Sequence, residues 1–77
     1  MKYPSKTAVE YAKYLVERFK EEEEVKVEPY ELPLLNELFS YIFRKRGEIK
    51  TDSIHRNSVM ALAIKDFVGK LGDGDVE

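Results

Sequence analysis

The sequence predicts an all-α fold, a three-helix bundle-like domain with helices over residues 6–22, 31–46 and 52–71 and a short extended segment at 25–28. Three observations predict it. Apolar side chains recur every three or four residues in each helical stretch. Capping or breaking residues stand at the ends of those stretches, and period-two alternation is confined to Val25-Lys26-Val27-Glu28.

The first helix opens behind Pro4 at Ser5-Lys6-Thr7, whose hydroxyls can accept from the unpaired amides of a helix start. Ala8, Tyr11, Ala12, Leu15 and Phe19 then share one face, while Val9, Tyr14 and Val16 widen the apolar arc beyond what one neighbouring helix covers. Glu21-Glu22-Glu23-Glu24 closes the helix, because carboxylates oppose the negative end of its macrodipole. The alternating segment carries two β-branched residues and reads as an extended link or a short strand. Pro29 to Pro33 form an entry turn, and Pro33 fits only the first turn of the second helix.

In that second helix Leu34, Leu35, Leu38, Phe39, Ile42 and Phe43, with Tyr41, cover more than half the circumference. Arg44-Lys45-Arg46 suit its C-terminal end, and Gly47 supplies the left-handed cap. Thr51-Asp52-Ser53 and Asn57-Ser58 both offer N-caps to the third helix, which leaves two starts open. Its apolar face is Val59, Met60, Ala63, Ile64, Phe67, Val68 and Leu71. Gly69, Gly72 and Gly74 mark its decay into an acidic tail, 73–77, expected to be disordered.

A chain of 77 residues holds one domain, placed at 1–72. A domain of this size buries only about 60% of the surface its unfolded chain exposes, so additional support is expected. With no Cys there is no disulfide, and with His55 as the single imidazole no structural metal or cofactor is expected. A second copy of the chain is the remaining common support, which makes a homodimer the expected state. Tyr11, Leu15, Leu35, Phe39 and Ile42 are the candidate dimer-interface residues, although each also suits a monomer core. No apolar run reaches the ~18 residues of a membrane span, and the N-terminal residues lack a secretory apolar core. The expectation is a cytoplasmic protein with no membrane contact.

The net charge of −2 conceals segregation: residues 1–20 carry +3, 21–37 carry −6, 38–56 carry +3 and 57–77 carry −2. In an up-down bundle the Glu run and Arg44-Lys45-Arg46 fall at opposite poles, where they can meet only across two copies. Catalytic groups are scarce. His55 with Asp52, Ser53 and Ser58 is the sole relay-like set, and its members crowd one short segment, whereas triads are assembled from distant ones. Phosphate-loop and calcium-loop spacings are absent. The chain therefore reads as no enzyme, with no small-molecule substrate, and as a non-catalytic interaction module acting through homodimerisation or partner binding.

A second reading starts from the basic residues Arg44, Lys45, Arg46, Lys50 and Arg56. From Glu24 to Leu71 the order of a short alternating strand, a helix, a Gly-containing turn and a second helix at Asn57 to Val68 resembles ribbon-helix-helix DNA-binding domains. The resemblance implies a dimeric DNA-binding transcriptional regulator: two chains would pair their strands, Lys26 would point into the major groove, and the amides near Asn57 and Ser58 would hold a phosphate. Glu24 and Glu28 on the strand, and the long Gly47 to Asn57 connection, depart from that pattern.

Overall fold

The computed structural model describes residues 4–44 and 47–71; Lys45, Arg46 and the acidic tail 73–77 lie outside the described residues. Helix α1 spans Lys6–Glu21 and strand β1 Glu24–Lys26. A 3-10 turn at Pro29–Glu31 leads into α2, Leu32–Phe43, and β2, Ser53–His55, precedes α3, Val59–Leu71.

The stripe of α1 packs as its spacing requires. Ala8, Tyr11, Ala12, Leu15 and Phe19 are the buried residues of that helix, and the Ser5 hydroxyl accepts from the Ala8 amide at 3.2 Å. The Ser5 amide donates to Glu37 at 2.6 Å and so ties this end to α2. At the other end Arg18 and Glu22 pair at 2.5 Å, which holds the Glu22 carboxyl below the usual carboxylate range. Pro33 lies in the first turn of α2, as its missing N–H demands. That helix is shorter than 31–46. It ends at Phe43, and its cap is Arg44 in place of Gly47, in the left-handed region at φ 54°, where a Cβ costs about 1 kcal/mol.

Two further corrections concern residues 52–71. The helix starts at Val59, the later of the two open starts, and 53–55 form a strand instead of its first turn. Ser53-Ile54-His55 finds a partner in Glu24-Val25-Lys26, antiparallel with Val25 opposite Ile54, so the fold is mostly helical with a two-stranded sheet and not all-α. Ser58 caps α3, its hydroxyl accepting from the Ala61 amide at 3.2 Å. Ala61, Ile64 and Phe67 are the buried residues of the helix, while Val59, placed on the apolar face by spacing alone, stands in its first turn and is 73% exposed. Ser58→Ala is expected to lower stability by about 1 kcal/mol, read as a shifted denaturant midpoint with unchanged slope.

Val25, Val27 and Ile54 close one cluster with Leu15, Phe19, Leu35, Leu38, Phe39 and Ile64. The sheet thus lays its apolar face on the helices and leaves Glu24, Lys26, Ser53 and His55 outward. The shortest dimension is 19 Å, about two helix diameters, so every element keeps a side in solvent.

Candidate interaction surface

Val27 donates its amide to the Asp52 carbonyl and Arg56 to the Glu23 carbonyl, both at 2.9 Å. In an antiparallel ladder such directly opposed bonded pairs alternate with unbonded ones. Residues 23, 25 and 27 therefore point their backbone groups at β2, and Glu24 and Lys26 point theirs away. The two outer edges of the sheet differ in consequence. On β2, the Thr51 hydroxyl accepts from the Ser53 amide at 3.3 Å and donates to the Ser53 carbonyl at 2.7 Å, while the Ser58 amide takes the His55 carbonyl at 2.9 Å. Three of the four outward groups on that edge are occupied. On β1, Glu24 and Lys26 are exposed, and their outward N–H and C=O groups have no partner among the described residues.

The side chains around this edge are polar and mutually engaged. Ser53 donates from its hydroxyl to Glu24 at 2.7 Å, and Lys26 borders a shallow dimple with Glu24, Asp52 and Ser53. His55 holds Glu23 at 3.4 Å through Nε2 and accepts from the Asn57 amide at Nδ1, 3.1 Å away. The imidazole is thus fixed by Glu23 and Asn57, and Ser53 turns to Glu24, so the relay suggested by spacing is not what these side chains build. Among the described residues no cluster of three metal-ligating side chains occurs, and no helix is long and apolar enough to cross a membrane.

The candidate interface residues are placed elsewhere. Tyr11, Leu15, Leu35 and Phe39 belong to the buried cluster of the chain itself. Ile42 is half-buried and lines a groove of about 280 Å³ between the ends of α2 and α3, with Tyr41, Arg44, Phe67, Lys70 and Leu71. The candidate nucleic-acid contacts are spread out. Lys26 is on the sheet, Arg44 at the groove, and Lys50 exposed in the connection before β2; Arg56 follows that strand, and its carbonyl accepts from Lys65 Nζ at 3.0 Å. The Glu run engages Arg18, Ser53 and His55. Sequence reasoning missed Thr51, whose Thr-x-Ser spacing was the available signal for a hydroxyl closing a strand edge.

No family model, curated protein or solved structure matches the chain.

Proposed function

We propose that the protein is a non-catalytic interaction module that self-associates through the outer edge of β1. One observation carries the reading: β1 presents outward backbone donors and acceptors at Glu24 and Lys26, while the opposite edge of the same sheet is closed by Thr51 and Ser58. An unpaired strand edge on a packed sheet is a template for strand addition, in which backbone hydrogen bonds supply affinity. Duplex DNA is less well supported as the ligand of this surface. Glu23, Glu24 and Asp52 lie on or beside the strands and offset Lys26, whereas a phosphate backbone calls for a cationic excess.

Lys26→Pro tests the reading. The substitution deletes an N–H that points away from β2 and leaves the ladder to β2 intact, the arrangement in which strands tolerate proline. The expected result is a folded chain with unchanged helical circular dichroism that stays monomeric where the parent gains mass with concentration in sedimentation. A parent chain that is monomeric throughout, or an association that survives Lys26→Pro, overturns the proposal.

A further inference from the structure

Resting on that reading, we infer that the strand added at β1 is β1 of a second copy, placed by a two-fold axis midway between the two Val25 residues, and that Glu24 and Lys26 select it. Hydrogen-bond phase, charge and ladder length each support this register. An antiparallel pair centred on Val25 sets Glu24 opposite Lys26 of the other copy, and Lys26 opposite its Glu24. Those are the two residues whose backbone groups face outward, so each opposed pair exchanges two bonds and the ladder holds four. The same register sets an anion against a cation at both bonded positions, and cross-strand pairs of opposite charge stabilise whereas like charges destabilise. Val25, fully buried on the inner face, meets its own counterpart in the closely spaced unbonded position.

The ladder ends where the backbone ends it. Beyond Lys26 the next outward-facing pair is Glu28 with Glu22, and the Glu22 amide is already given to the Arg18 carbonyl at 2.8 Å. Arg18 also neutralises the Glu22 carboxyl, which softens the Glu22–Glu28 approach that the two-fold axis repeats at both ends. The product is a four-stranded sheet, β2-β1-β1-β2, in which Lys26 is held by the other copy. A contact this short makes a weak, concentration-dependent dimer.

Charge exchange tests the register. Glu24→Lys alone opposes Lys to Lys, and Lys26→Glu alone opposes Glu to Glu, so each is expected to lose at least tenfold in self-affinity. An equimolar mixture of the two restores both pairs and is expected to form the heterodimer, read by sedimentation with one chain fluorescently labelled. The double exchange Glu24→Lys, Lys26→Glu is expected to recover the homodimer. Circular dichroism checks that each variant is folded. If the parent dimerises and Lys26→Pro abolishes it, but both single exchanges self-associate like the parent or their mixture fails to pair, the edge stands and this register falls. If Lys26→Pro has no effect, the edge itself falls.

Discussion

Leu35→Ala is expected to lower the free energy of unfolding by about 3 kcal/mol, within the range observed for emptying a buried leucine site. Leu35 is fully buried, in a cluster that draws on all three helices and both strands. A 77-residue domain has a total stability on the order of 4–12 kcal/mol, so this one change removes a large share. The measurement also separates two roles. Loss of a core residue lowers the denaturant midpoint by about the same amount at every protein concentration. Loss of an interface residue weakens association and lowers the midpoint only at concentrations where the parent chain is associated. The structure predicts the first pattern for Leu35, and Leu15 should follow it.

Tyr11→Phe is expected to cost about 2 kcal/mol without opening a cavity. The Tyr11 hydroxyl donates to Glu31 at 2.6 Å in the interior, and the other oxygen of Glu31 accepts from the Glu28 amide at 3.2 Å. Among the described residues, Glu31 is the buried charged or polar side chain. Removing the hydroxyl leaves a buried acceptor unpaired, and the penalty for that exceeds the net worth of an ordinary hydrogen bond. The pH dependence follows from the same contact. Burial, and then the hydrogen bond to Glu31, push the Tyr11 phenol far above its ordinary value of 10.0. The folded chain therefore retains a proton that the unfolded chain releases above about pH 10. Stability from this group is complete below that pH and declines as the pH rises past it. Tyr11→Phe should flatten the alkaline limb of the unfolding free energy against pH; an unchanged limb would show that the phenol is not the responsible group.

How much of this was legible in the residues depends on range. The face of α1 was fully readable, because Ser5 and the five residues from Ala8 to Phe19 report a local period and a local cap. The end of α2 was misplaced by a rule that is locally sound: glycine is the favoured left-handed cap, yet Arg44 adopts that conformation three residues before Gly47. The second strand was hidden for a different reason. Thr51, Asp52 and Ser53 look like helix caps, and a three-residue strand has too few alternations to show a period. Ile54 becomes a strand residue only because Val25, 29 positions earlier, lies opposite it. The candidate surface was half visible. Glu24-Val25-Lys26 alternates plainly in the sequence, but whether its outer side is open depends on where β2 pairs. The apolar residues chosen as an interface gave no such discrimination, since an interface and a core are built from the same side chains and four of the five serve the core.

Thr51 has a consequence for how large an assembly can become. A sheet with two free margins can accept new strands on both sides indefinitely, which is the route by which cross-β fibrils grow. Here the hydroxyl of Thr51 stoppers one margin by occupying both backbone groups of Ser53. On the proposed pairing, growth proceeds from one side alone, and two sheets that meet margin to margin consume each other's open edge, so the assembly stops at two copies. Thr51, together with the Ser58 amide on the His55 carbonyl, would thereby separate a finite particle from an open-ended filament.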